Sequence, residues 1–269
     1  MRRVAERLGR AWWLRDLVRE RLRFVAFEAA RSHRVQAYHL TAFDARVFLR
    51  HDGTDAFVLH EVVRDPFYTL PEPVRRVLPA ADETLSVLDL GANLGFFGLR
   101  ILSLYPKAQI TAFEPDSANA EILRRCVAAN VHDGTWRIVE AAAAAADGEM
   151  PFTAGEGALS RMPLASESAT TTVPARDVLP LIASAQLVKI DIEGGEWALI
   201  GDERFGEPGP PALLLEWHSY HCPGDNPRRV AREMLERHGY TILHEKPAPV
   251  PDSDPLYGAG TLWAWREPA

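Results

Sequence analysis

The stretch Val87-Leu88-Asp89-Leu90-Gly91-Ala92-Asn93-Leu94-Gly95-Phe96-Phe97-Gly98, followed by Ala112-Phe113-Glu114-Pro115, decides the fold. It reads as a buried strand, a glycine turn, a helix start and a second strand that ends on a carboxylate. Gly91 and Gly95 suit a turn in which backbone approaches a ligand closely, and the new helix offers free N–H groups and a positive dipole end to a polar or anionic group. Glu114 stands nineteen positions after Gly95, about where a dinucleotide fold delivers the acid that binds both ribose hydroxyls.

Details of the turn select among cofactors. A pyrophosphate loop is usually G-x-G-x-x-G, whereas Asn93 occupies the middle glycine position and its side chain crowds a diphosphate. Asp89, at the end of the first strand, repels phosphate but accepts hydrogen bonds from an ammonium or amide group. The combination suits S-adenosylmethionine (SAM) better than NAD.

Working outward, strands and helices alternate: Ser86 to Leu90, Gly95 to Ser103, Gln109 to Phe113, Ser117 to Asn130, and Trp136 to Glu140. This predicts an α/β fold with a mostly parallel, Rossmann-like sheet covered by helices on both faces. The alanine run from Ala141 begins as a strand end, and Met150 to Thr172 forms a loop with short strands over the pocket mouth, where Ser160 is either a substrate contact or an ordinary exposed serine. A strand from Leu187 to Ile190 ends at Asp191. Pro208, Pro210 and Pro211 mark a loop before a strand from Ala212 to Glu216, and a helix from Pro227 to Arg237 stops at Gly239. Strands from Tyr240 to His244 and Thr261 to Trp265 follow.

Upstream, Met1 to about Arg34 reads as helical, with Val4, Leu8, Ala11, Val18, Leu22, Val25 and Ala29 on one apolar stripe and an arginine-rich opposite face. Such a helix docks on its own domain or a second subunit, making a homodimer an expectation, or lies on an anionic membrane surface. Val35 to Val63 reads as a hairpin followed by a helix, with Asp55 as its N-cap. We therefore divide the chain into an extension, residues 1–80, and a core, residues 81–269.

Asp89-x-Gly91-x-Asn93-x-Gly95, Phe113-Glu114-Pro115, Lys189-Ile190-Asp191-Ile192-Glu193-Gly194 and Leu215-Glu216-x-His218, in that order, resemble class I SAM-dependent methyltransferases of the FkbM type. The resemblance runs from about Arg46 to about Gly239. It implies a seven-stranded Rossmann-like core closed by an antiparallel hairpin, usually methylation of a hydroxyl oxygen, and cofactor contacts at Asp89, Gly91, Asn93, Gly95, Glu114, Pro115, Ala142 and Asp191.

Methyl transfer to an alcohol is helped by a general base, because the hydroxyl proton leaves as the new bond forms. The ligand lies beyond the carboxyl ends of parallel strands, so Asp191, Glu216 and His218 are the catalytic candidates. His218 has the best intrinsic pKa for a base, and Asp191 can orient it, act itself or bind the cofactor's ammonium. Glu193 and Glu196 open a helix and suit capping, while Lys189, inside a buried strand, suits pairing with a carboxylate. Asp191, Glu193, Glu216 and His218 could also hold a divalent metal such as Mg²⁺, which the resemblance does not require. Trp197, Trp217 and Tyr220 either line the acceptor pocket or pack.

The chain has 269 residues, 47% hydrophobic and 25% charged, with a formal net charge of -7 that argues against general nucleic-acid binding. Two cysteines supply no disulfide framework, and no apolar stretch spans a bilayer. A cytoplasmic protein acting on a small-molecule hydroxyl, such as a sugar or secondary metabolite, is the resulting expectation. The alternatives are a nucleotide-dependent oxidoreductase and a non-catalytic scaffold.

Overall fold

The computed structural model describes residues 2–155, 157, 160–163, 168–206, 209–247 and 258–267. Pro208, part of the Met150 to Thr172 loop and the side chains of Arg2, Arg3, Val4 and Arg7 lie outside the described residues. The N-terminal region contains α1 (Arg2–Leu14), α2 (Arg21–Ala30), β1 (Gln36–His39), β2 (Arg46–Leu49), α3 (Asp55–Arg64) and α4 (Glu72–Val77). There follow β3 (Ser86–Leu90), α5 (Phe96–Leu104), β4 (Gln109–Phe113), α6 (Ser117–Asn130), β5 (Trp136–Val139), β6 (Ala142–Ala144), β7 (Gly148–Phe152), β8 (Thr171–Asp177) and α7 (Leu179–Ser184). The chain continues with β9 (Leu187–Ile190), α8 (Glu196–Ile200), β10 (Ala212–His218), α9 (Pro227–Arg237), β11 (Thr241–Pro247) and β12 (Ala259–Trp265).

Seven strands form the central sheet in the order β11-β12-β10-β9-β3-β4-β5, with β12 antiparallel to both of its neighbours and β10, β9, β3, β4 and β5 parallel. The chain leaves β3 toward β4 on one side and returns to β9 on the other, so a crevice opens at the carboxyl ends of β3 and β9. Gly91 and Asp191 stand there. Branched and aromatic residues fill both sheet faces. Val87, Leu187 and Leu214 join one buried cluster, and Leu88, Val188 and Leu213 join the other. Full burial on two faces explains why these strands read as continuous apolar runs.

The N-terminal region packs into this core: Leu14, Leu17, Phe24, Tyr38, Leu59 and Val74 share a buried cluster with Val87, Ile110 and Trp263. The expected single amphipathic stripe is corrected. The chain breaks between α1 and α2, where Val18 bridges Leu40, Arg19 N–H donates to His39 O (2.8 Å) and Glu20 accepts from His39 N–H (3.0 Å). The break resets the helical phase: Ala11 and Val18 of the stripe are buried, but Leu8 and Leu22 are exposed, and Leu14, Leu17 and Phe24 are buried in addition. Asp55 is corrected too. It opens α3 but takes the backbone N–H and guanidinium of Arg50 at 2.8 Å instead of capping its own helix.

Gly239, at φ +80°, ends α9 as expected, and Cys126 is a buried thiol packed against Phe48. The start of the alanine run is not the end of the preceding strand: β5 stops at Val139, and Ala142–Ala144 form a new strand, β6, which joins β8 and β7 in a small separate sheet beside the crevice.

Candidate active site

A cavity of about 300 Å³, within the range of small-molecule sites, fills the crevice. On the β3–β4 side it is lined by Gly91, Asn93, Glu114, Pro115 and Ala142; on the β9–β10 side by Lys189, Asp191, Glu193 and Glu216. Phe57 and Tyr68 from the N-terminal region and Met150, Phe152 and Ser160 from the β7–β8 segment close over it. Ser160 also donates to Asp116 at 2.8 Å, which fastens that segment to the N-cap of α6.

Glu114 is built into the turn that it faces. Its carboxylate accepts from Asn93 N–H (2.8 Å) and Asp116 N–H (2.9 Å), linking the end of β4 to the loop after β3. Burial pushes its pKa up to about 7, against the stabilising pull of those two backbone donors. Asn93 sits at φ +50°, a left-handed conformation that asparagine tolerates, and its buried Oδ1 has no hydrogen-bond partner among the described residues. A buried acceptor without a donor in the cavity wall, beside an acid on the next strand, fits a ligand carrying hydroxyl or ammonium donors.

The glycines of the turn have a different reason from the one expected. A Cβ on Gly91 would stand 1.7 Å from the carbonyl oxygen of Asp191, and one on Gly95 would stand 2.5 Å from Leu123. Both residues also have positive φ, +78° and +83°. They are glycine so that β3 can pack on the loop after β9 and α5 can pack on α6. Gly91 still lines the cavity and Gly95 does not.

Asp89 is likewise turned away from the cavity lining. It is completely buried, no described residue donates to its oxygens within 3.5 Å, and Lys189 Nζ lies 3.6 Å from it. Burial raises its pKa despite that cation. Lys189 also reaches Asp191 (3.0 Å) and donates to Gly91 O (3.0 Å). Burial works against its charge, but Asp191 and Asp89 hold it protonated. The expected carboxylate pairing of Lys189 is therefore present, and it occupies the carboxylate expected to meet the cofactor's ammonium.

His218, at the end of β10, is 5% exposed and clamped. Nδ1 meets Glu196 Oε1 at 2.7 Å, and Nε2 faces Glu193 Oε2 at 3.3 Å. Burial opposes protonation, yet Glu196 and Glu193 together raise the imidazole pKa well above its ordinary value. The neutral, accepting ring expected of a base is thus not what its surroundings favour, and His218 does not line the cavity. Glu196 opens α8 but does not cap it as expected: its carboxylate takes the N–H groups of Ile192 (3.2 Å) and Gly194 (2.8 Å) in the preceding turn, and its contact with His218 was invisible in the sequence. Glu216 differs from its neighbours: it lines the cavity without accepting a hydrogen bond from the described residues, and burial, with the nearby charge of Asp191, raises its pKa to about 8. Trp197, Trp217 and Tyr220 are buried in packing rather than in the cavity lining; Trp197 Nε1 donates to His218 O at 3.0 Å.

The strand order, the turn after β3 and the acid after β4 define the Rossmann-like methyltransferase class. The chain belongs to the FkbM methyltransferase domain family, whose model matches residues 89–242, and it is a SAM-dependent methyltransferase. No curated protein sequence is significantly similar to it. Among solved structures, it is similar to the SAM-dependent methyltransferase from Agrobacterium tumefaciens at TM-score 0.47 and 12% identity, covering 87% of this chain and 70% of that one. The precorrin-6y C5,15-methyltransferase from Geobacter metallireducens is similar at TM-score 0.39 and 15% identity, with 69% and 82% covered. TrmK of M. capricolum, solved with S-adenosylhomocysteine (SAH), is similar at TM-score 0.40 and 11% identity, with 74% and 70% covered.

Proposed function

We propose that this enzyme methylates a hydroxyl oxygen of a small molecule, and that Glu216 takes the hydroxyl proton. One observation carries the reading: a single cavity joins Asn93 and Glu114 to a carboxylate, Glu216, that accepts no hydrogen bond from the described residues. Bound SAM supplies a methyl group already activated on a sulfonium. Gly91, Asn93, Glu114, Pro115 and Ala142 would hold its adenosine portion, and Asp191 would face its amino-acid end.

The chain's own work is then alignment and proton removal. Holding acceptor and donor in line supplies most of the acceleration for a displacement of this kind. Glu216 accepts the proton that an alcohol must lose, a contribution of roughly 10²–10⁴-fold. Lys189 pairs with Asp191 beside it at 3.0 Å. Phe57, Tyr68, Met150 and Phe152 exclude water and offer an apolar surface to the acceptor. A net charge of -7 disfavours nucleic-acid acceptors.

The test uses SAM carrying an isotope-labelled methyl group and panels of hydroxylated and amine acceptors. Labelled methyl ethers are expected; label that enters only amines or transfer RNA rejects the reading. Glu216→Gln should lower kcat by about 10²-fold or more while leaving SAH affinity within about twofold. An unchanged kcat removes Glu216 as the base.

A further inference from the structure

Beside the proposed acceptor end of the cavity, three side chains from two loops converge. Asp191 and Glu193 follow β9 and His218 ends β10, and one donor atom from each lies within 4.8 Å of the others. Two features separate this group from an ordinary surface cluster of acids. First, one member is a buried histidine whose ring is held from behind. Glu196, completely buried and anchored on two backbone N–H groups, takes Nδ1 at 2.7 Å and so turns Nε2 toward Glu193 and Asp191. A carboxylate fixing one imidazole nitrogen so that the other faces inward is the arrangement that orients metal-ligating histidines. Second, the pair of donors measured most directly, His218 Nε2 and Glu193 Oε2, is 3.3 Å apart. Neighbouring ligands on an ion with bonds of about 2.1 Å stand about 3 Å apart. Tyr220 O–H donates to Glu193 and holds it in this position.

An ion here takes the place of the proton on His218 Nε2, while Glu196 stays on Nδ1.

We propose that Asp191, Glu193 and His218 form a binding site for a first-row divalent cation of the Mn²⁺ type, set beside the cavity end lined by Glu216. The imidazole ligand favours such an ion over Ca²⁺, which takes oxygen donors. The inference extends the methyltransferase reading by placing the ion where an acceptor oxygen would arrive, and its test is binding rather than turnover.

The full-length, cofactor-free protein is titrated with MnCl₂, with free Mn²⁺ followed by electron paramagnetic resonance and bound Mn²⁺ by pulsed measurements that detect coupling to nitrogen. One Mn²⁺ per chain with a nitrogen coupling is expected. The coupling should vanish in His218→Ala, and Asp191→Asn and Glu193→Gln should each weaken binding by roughly tenfold or more. Glu193→Gln changes a turn residue and keeps the test open if His218→Ala does not fold; circular dichroism reports on folding. Absence of Mn²⁺ binding at millimolar metal, binding without nitrogen coupling, or equal binding by folded Glu193→Gln overturns the site. SAH binding is measured in parallel by calorimetry. SAH bound without Mn²⁺ rejects the metal site alone, and Mn²⁺ bound without SAH rejects the cofactor reading alone.

Discussion

Glu114 ties two loops together and lines the cavity. Its oxygens join Asn93 N–H to Asp116 N–H, and its pKa of about 7 sits within the physiological range. Because the folded value lies above the ordinary glutamate value of 4.5, the folded state holds this proton more tightly than the unfolded chain does. The contribution of this residue to stability is therefore greatest below pH 4.5 and falls as pH rises to about 7, by about 3 kcal/mol in all. Binding of ribose hydroxyls to the ionised carboxylate has the opposite slope. SAH affinity measured by calorimetry should rise between pH 5.5 and 7 by roughly tenfold or more and then level, and Glu114→Ala should bind weakly without that slope. A flat profile in the parent enzyme rejects the ribose role. Gly91 makes a simpler case: Gly91→Ala forces a Cβ into the Asp191 carbonyl at a positive φ. It should cost more than about 3 kcal/mol in denaturant unfolding.

Among elements, α1 and α2 show where periodicity misleads. An unbroken 3.6-residue repeat selects Leu8 and Leu22, whereas the break at Val18 buries Leu14 and Phe24 instead. Leu14→Ala should therefore destabilise by about 2–5 kcal/mol, and Leu22→Ala, at a position 79% exposed, should stay within about 0.5 kcal/mol. Equal effects in thermal melts would contradict this packing. The cap of α6 links elements more widely. Asp116 accepts from Ala118 N–H at 2.9 Å, and from Gly155 N–H and Ser160 O–H at 2.8 Å, which together hold its pKa down against burial. Asp116→Ala should exceed the usual cap cost of about 1 kcal/mol and also raise the SAH dissociation constant, since it frees the segment that covers the cavity.

At the scale of the whole molecule, the buried cluster containing Leu14, Tyr38 and Val74 also contains Val87 and Trp263, so the N-terminal region and the sheet share one core. The region also supplies Phe57 and Tyr68 to the cavity. The strand and helix spans from Ser86 to Asn130 were legible because burial on both faces and short turns are local signals. The seven-stranded sheet and the cofactor followed from them and from the family resemblance. Of the site, Asn93, Glu114, Asp191 and Glu216 were legible because each ends or follows a strand. The locking of His218 by Glu196 and of Asp89 by Lys189 was not, since each pair joins residues distant in sequence that meet only when strands align. By itself the sequence determined the order of elements, the glycine turn after β3 and the acids that stand near it. Tertiary structure alone decided which acids face the cavity and which are spent on internal cations, because that choice depends on neighbouring strands whose register no local pattern records.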